Sequence, residues 1–403
     1  LIQWGKSGDE PYRIIQEPLQ SYENSLKVYR GLQRALLNDR LIAEKSTQER
    51  TLRELVLEKP QLTSQVGSAW DDIATAQERY REIYDRYQYL ENGVGFNSTL
   101  SRFGRTPVRG GAERAKSNEL RLREYADSNL PKIQASVLAH TPVYPDYEKL
   151  TLSFSLDKMR ENLGPDDPVV RQLLREDSPD TLAAKLIEGT KLKDPEGRKV
   201  LWEGGPAALE ASTDPMIVLA RRIDAEARAV RKIYEDEVQA PVVSGQERIA
   251  RARFATLGTE TYPDATFTLR LSYGAVKSWV EKGEQVAPFT KLSRLYERTT
   301  GEPPFRLPQR WLDARTKLDP NTPFNYVTTN DIVGGNSGSP LIDAQGRLVG
   351  LAFDGNIHSL AGNYWYDADM NRAVAVHPAI ILAALRDVYG AKSIVSELTS
   401  KGE

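Results

Sequence analysis

Ser337 lies in the run Gly334-Gly335-Asn336-Ser337-Gly338-Ser339-Pro340, with small residues on both sides of its hydroxyl. A serine becomes a nucleophile only if it is exposed on a tight turn, a base takes its proton, and backbone N–H groups face the developing oxyanion. Glycines around Ser337 let a carbonyl group come close, and the N–H groups of Gly335 and Ser337 are the expected oxyanion donors. The spacing differs from the hydrolase elbow Gly-x-Ser-x-Gly, because Ser339 fills the last position and Pro340 opens a strand where that motif needs a helix. A glycine-rich hairpin turn with an ordinary serine is the alternative.

A strand after the serine fits the chymotrypsin-type arrangement, in which the base and its orienting carboxylate precede the nucleophile in the chain. Of His140, His358 and His377 only His140 precedes Ser337, and it sits where a helix is expected to end. His358 falls on a predicted loop and His377 just before the last helix, and both are expected to be structural. The three histidines lack metal-ligand spacing and no His-Glu-x-x-His occurs, so no metal or other cofactor is expected.

The elements that must position the serine follow from hydrophobic periodicity. From Ser21 to about Lys193 the pattern is mostly helical, as in Val66, Trp70, Ile73, Tyr80, Ile83, Tyr84 and Tyr87, read as one packed face. A second helix carries Leu219, Ile223, Ala227, Val230 and Tyr234, and the charges around it (Arg221, Arg222, Asp224, Glu226, Arg228 and Arg231) are expected to be solvated. The stretch Arg102–Lys116, with five basic residues among three glycines, reads as an inter-helix loop, since no Walker-type lysine follows.

Beyond about Arg253 the texture changes to short strands: 266–273, 340–342, 348–353 and 373–376. Asp343-Ala344-Gln345-Gly346 separates two of them at hairpin distance, which makes that pair antiparallel. A last helix follows Pro378 and stops near Gly390. Tyr144-Pro145-Asp146 before Leu150–Phe154 echoes Tyr262-Pro263-Asp264 before Phe267–Leu271, and both read as turn then strand. The expected fold class is α+β: a mainly α-helical domain over 1–253, then an antiparallel β-barrel of chymotrypsin type over 254–403.

Length and charge set the limits of function. A chain of 403 residues predicts two domains, and a net charge of -2 from 54 basic and 56 acidic residues argues against nucleic acid bound by bulk charge. Without cysteine there is no disulfide framework and no thiolate chemistry. No run approaches the roughly 18 apolar residues of a membrane span. The start at Leu1, without a methionine or signal-peptide pattern, reads as a trimmed polypeptide. Roughly 150 residues after the boundary would accommodate one small barrel where the chymotrypsin-type architecture needs two. The first barrel, with the triad histidine and aspartate, is therefore expected upstream of Leu1.

Thr329-Asn330-Asp331-Ile332-Val333-Gly334-Gly335-Asn336-Ser337-Gly338-Ser339-Pro340, with Phe353-Asp354-Gly355-Asn356, closely resembles the bacterial family of dipeptidyl aminopeptidase BII and dipeptidyl-peptidases VII and XI. Further segments carrying the resemblance are 22–31, 262–270 and 371–376. It implies a double β-barrel interrupted by a helical cap, and a serine exopeptidase that releases dipeptides through an acyl-enzyme on Ser337. It implies that Asn24 and Asp354 hold the free α-amine of a peptide substrate, so that the clamp counts two residues to the cut. Gly355 stands where the acidic-selective branch is expected to carry arginine. With Phe353 and Asp331 it is assigned to the specificity pocket, which is expected to take aliphatic or aromatic side chains. Asp331, six residues before the serine, also stands at the offset where trypsin-like enzymes receive Lys or Arg, which leaves a basic-selective reading open. A homodimer in the periplasm, or secreted, is a further implication. The rivals are a non-catalytic peptide-binding or scaffold fragment and an endopeptidase using the same serine.

Overall fold

Helix starts are written into this chain as Asp-Pro and Ser-Pro pairs. Asp167, Ser178, Asp194 and Asp214 each accept a backbone N–H in the first turn of the helix that the following proline opens. Proline loses nothing at that position, because its missing N–H would have had no partner there. The computed structural model describes residues 1–258, 269–302 and 305–400, and its chain divides into two compact units. One comprises residues 1–19 and 52–260, the other 20–51 and 261–403.

Helices that frame the core and the site include α1 (Asp9–Leu36), α2 (Asp39–Leu57), α3 (Pro60–Val66), α4 (Ala69–Arg86), α5 (Thr99–Arg114), α6 (Pro145–Leu163), α7 (Pro215–Ile233) and α8 (Ala240–Leu257). In the first unit the core gathers Leu90, Phe103, Leu152, Leu156, Met159, Met216, Ile217 and Ile223 from α5, α6, α7 and the turn before α5. The stripe from Val66 to Tyr87 is divided between α3 and α4, because Gly67 turns the chain with φ 51°.

Three expectations are corrected in this unit. Leu150–Phe154 is not a strand. It lies inside α6, whose Leu152, Leu156 and Met159 recur at helical spacing and are fully buried, and the two-residue alternation of Thr-Leu-Ser-Phe is incidental to that face. Arg102–Lys116 is not a loop: its residues up to Arg114 make most of α5, capped by the Ser98 hydroxyl, which accepts the N–H groups of Leu100 and Ser101. Its glycines serve packing, since a Cβ on Gly104 would lie 2.8 Å from the Met216 carbonyl oxygen. The charges of α7 are not simply solvated. Arg109 of α5 binds Glu91 through both its Nη1 (2.6 Å) and Nη2 (2.8 Å), and donates from Nε to Asp224 at 2.9 Å. Arg228 bridges Asp224 and the buried Glu113.

The second unit is built on β1 (Trp279–Glu281), β2 (Glu284–Val286), β3 (Phe289–Lys291), β4 (Pro323–Thr328), β5 (Pro340–Ile342), β6 (Leu348–Gly355) and β7 (Ala373–Val376). β1 and β2 form a hairpin, and the others an antiparallel sheet in the order β3-β4-β7-β6-β5. Among the described residues this sheet is open, so the barrel expected over 254–403 is not seen as a closed one. Of the strand expected over 266–273, residues 266–268 lie outside the described residues and 269–273 carry no regular structure. A helix (Pro378–Ala383) continues in wider turns to Val388, and Gly390 ends it with φ 67°.

Residues 20–51 pack within this unit through specific contacts. Arg40 donates to Asp367 at 3.1 Å and lies over the Trp365 ring, whose Nε1 donates to Glu44 at 2.8 Å. A Cβ on Gly31 would sit 2.4 Å from Leu360 Cδ1 and 2.6 Å from its Cβ, so glycine alone lets α1 approach this closely.

Candidate active site

The turn that carries Ser337 is held by Asn336. The Asn336 backbone N–H donates to the Val333 carbonyl at 3.2 Å, and its Oδ1 accepts the Val333 N–H at 3.1 Å. Gly335 has φ 103° and Gly338 φ 87°, both in the left-handed region that a Cβ disfavours. Among the described residues, the N–H groups of Gly335 and Ser337 have no intramolecular acceptor. Ser337 is exposed at the head of this turn.

The turn is laid against β6. Gly338 donates to the Ala352 carbonyl at 2.7 Å and Ala352 donates to the Ser339 carbonyl at 2.9 Å, which extends the β5–β6 ladder up to the serine. Immediately beyond, the pairing of β6 with β7 slips by one residue between Ala352 and Asp354. Phe353 is therefore the extra residue of a bulge, and its carbonyl receives a long contact of 3.4 Å from the Ser337 hydroxyl. Bulges re-aim the side chains that follow them, and here those are Asp354 and Gly355.

The carboxylate of Asp354 is about half exposed (47%), with its Oδ1 accepting the Gly355 N–H at 2.8 Å and its Oδ2 lying 3.5 Å from Lys27 Nζ of α1. Asn24 is exposed one helical turn before Lys27, and Asn24, Lys27 and Gly31 share one face of α1 by their spacing of three and seven. Phe353 is 45% exposed. The Asp331 backbone carbonyl accepts from the Ser272 hydroxyl at 2.8 Å. Ser337, Phe353, Asp354 and Gly355 thus lie on contiguous elements.

Residues without an assigned role in the sequence hold this loop. Asn356 Oδ1 accepts from the Ser359 backbone, the Ser359 hydroxyl and the Arg372 N–H, while its Nδ2 donates to the Met370 carbonyl at 2.7 Å. The Arg372 side chain, 1% exposed, donates to the carbonyls of Lys277, Ser278, Ala368 and Asn371. Asn356 and Arg372 stand in the motif-bearing segments, and that was the only signal for them.

Each histidine is occupied or remote from the serine in bonding terms. His140 is exposed two residues past the end of the helix Leu130–Leu138. His358 Nε2 lies 2.6 Å from Glu281 Oε2, and the pairing, with Trp279 Nε1, holds the Glu281 carboxyl below the usual range. His377 caps the helix Pro378–Ala383, its Nδ1 accepting the Ala379 N–H, and burial lowers its basicity. Among the described residues no histidine hydrogen-bonds to Ser337, and no group of three or more His, Asp or Glu could hold a metal ion. No described helix is long and apolar enough to cross a membrane.

The model of one family, peptidase S46, matches residues 1–400. The chain belongs to the peptidase S46 family. A dipeptidyl-peptidase 7 from Capnocytophaga gingivalis is 32% identical over 214 residues, covering 48% of this chain and 29% of the relative. An Asp/Glu-specific dipeptidyl-peptidase from Shewanella putrefaciens is 25% identical over 429 residues, covering 94% of this chain and 56% of the relative. The crystal structure of Porphyromonas endodontalis DPP11 in complex with the dipeptide Arg-Glu superposes with a TM-score of 0.77 at 19% identity, over 100% of this chain and 58% of that one. That likeness establishes a shared fold. The chain spans between about three-tenths and three-fifths of the length of these proteins.

Proposed function

We propose that this chain is the nucleophile-bearing part of a serine dipeptidyl-peptidase, with Ser337 forming the acyl-enzyme. The observation that carries this reading is the turn of Ser337, whose N–H and that of Gly335 lack internal acceptors while its hydroxyl lies against the bulge that presents Asp354. In this reading Ser337 Oγ attacks the carbonyl of the second residue and a base takes the hydroxyl proton. The two N–H groups hold the oxyanion, and the protonated amine of the shortened peptide leaves. Water then releases the dipeptide from the ester. The edge of β6 from Phe353 onward offers main-chain groups to an extended peptide. Asn24 and Asp354 would take its ammonium group, since an amide oxygen and a carboxylate both accept from it.

The engagement of His358 with Glu281 and of His377 in a helix cap supports a base that comes from outside these three histidines, in a first barrel that the family's longer members would supply. In this reading residues 1–253, apart from the 20–51 segment that packs with the sheet, would form the helical cap and 254–403 the second barrel. A relative named Asp/Glu-specific and one named dipeptidyl-peptidase 7 both match, so the pocket must decide the substrate. Uncharged Gly355 beside Phe353 favours aliphatic or aromatic residues before the cut. A periplasmic or secreted homodimer completes the reading, testable by fractionation and sedimentation.

A fluorophosphonate probe tests the nucleophile in the complete protein. Labelling of Ser337 that vanishes in Ser337→Ala is expected. Its absence in folded protein would favour the rival, a non-catalytic peptide-binding scaffold, which draws on the lack of a histidine bonded to the serine. N-acetylated peptides cleaved as fast as free ones would instead indicate an endopeptidase.

A further inference from the structure

We propose that Lys27 is a built-in competitor for the substrate's α-amine, its own ammonium occupying Asp354 in the free enzyme and moving to Glu23 when a peptide binds. The inference rests on the reading of Asp354 as amine receptor and adds the residue that sets its affinity.

Lys27 Nζ stands 3.5 Å from Asp354 Oδ2, and both side chains are about half exposed, at 49% and 47%. A primary ammonium is the same chemical group as a peptide's N-terminus, so Asp354 already holds the chemistry it is proposed to recognise. Both cations cannot use one carboxylate at full strength, because two ammonium groups on one oxygen pair repel each other. In the proposal Lys27 gives way as the substrate's ammonium takes the carboxylate at hydrogen-bond distance.

It has a place to go. Glu23 lies four residues earlier on α1, the spacing and order in which a glutamate and a lysine pair best on a helix. Among the described residues Glu23 makes no ion pair. Glu23 and Lys27 border the same cavity of about 370 Å³, beside Leu26, Ile357 and Leu360, so the lysine stem can swing through open space along its own helix. The close seat of Gly31 on Leu360 fixes the helix while the side chain moves. The exchange replaces one exposed ion pair with another and adds the substrate's. Because Lys27 stands at Asp354 and not at Glu23 in the free protein, the exchange opposes substrate binding, and by less than one exposed ion pair.

The test is steady-state hydrolysis of a free-amine dipeptidyl substrate by the complete protein. Lys27→Met is expected to lower KM by up to about five-fold, the most that one exposed ion pair is worth before the Glu23 pairing offsets part of it, with the change in KM rather than kcat. Lys27→Arg, which restores a cation, should keep KM near that of the parent. In an Asp354→Asn background Lys27→Met should lose its effect, since there is no carboxylate to compete for. An unchanged or raised KM in Lys27→Met, with Asp354→Asn itself raising KM, overturns the competition alone. Asp354→Asn without effect on KM overturns the amine-receptor reading and the competition with it.

Discussion

Gly355 and Ser359 set a condition on changing selectivity at single-residue resolution. A Cβ on Gly355 would lie 2.8 Å from Ser359 Cβ, and Ser359 is itself held by Asn356. Gly355→Arg is accordingly expected to shift cleavage towards acidic side chains more fully when combined with Ser359→Gly than alone. Cleavage of Leu and Asp dipeptide substrates left unchanged from the parent in both variants would remove Gly355 from the pocket. Gly335→Ala places a Cβ at φ 103° and displaces a proposed oxyanion donor, so fluorophosphonate labelling should slow by about 10²-fold, the scale of one lost donor. The serine and its glycines were readable because chemistry demands small residues there. Asn336 was not, since an asparagine in a turn carries no spacing signal of its role.

The loop from Asp354 to Arg372 depends on polar groups that satisfy backbone rather than on apolar packing. Arg372→Leu would take the donor from one buried carbonyl and three partly buried ones, and we expect a loss on the order of 3 kcal/mol, read as a lowered urea midpoint. The strands β5, β6 and β7, their hairpin and the helix after Pro378 were legible in the sequence, because two-residue alternation and Asp-x-x-Gly turns are local properties. The helix over Leu150–Phe154 was not. Four residues of alternating type fit either period, and only the burial of Leu152, Leu156 and Met159 together decides between them. Helix α5 was hidden for a related reason: its glycines and Pro107 disfavour a helix locally, and the packing they allow is a tertiary fact. The bulge at Phe353 is likewise a matter of pairing with β7.

At the scale of the molecule, the helical unit carries its charges as paired groups in and near its core. Burial alone would raise the pKa of Glu113, but Lys116, the Leu122 N–H and Arg228 more than offset it and hold the carboxyl below its ordinary 4.5. Glu124 is lowered in the same sense by Arg231 against its own burial. A carboxyl depressed by folding stabilises above its unfolded pKa and loses that contribution as pH falls through the folded one. Stability measured by urea unfolding should therefore decline as pH drops below about 4.5. Glu113→Gln should be less stable at pH 7 and show a shallower decline, and an unchanged slope would show that Glu113 contributes none of it. The two-domain expectation came from length and texture, whereas the inclusion of residues 20–51 with the sheet-bearing unit came from contacts such as Arg40 with Asp367 that no local pattern announces. Gly31 gives that inclusion a dimensional meaning. A peptidase that cuts at a fixed distance from a chain end works as a gauge, and α1, seated without a methyl group's clearance on Leu360, would fix its zero mark. If the proposed dipeptide release holds, widening that seat by one carbon would loosen the tolerance of the measurement itself, and mass spectrometry of the products should find fragments of mixed length from Gly31→Ala where the parent would give one.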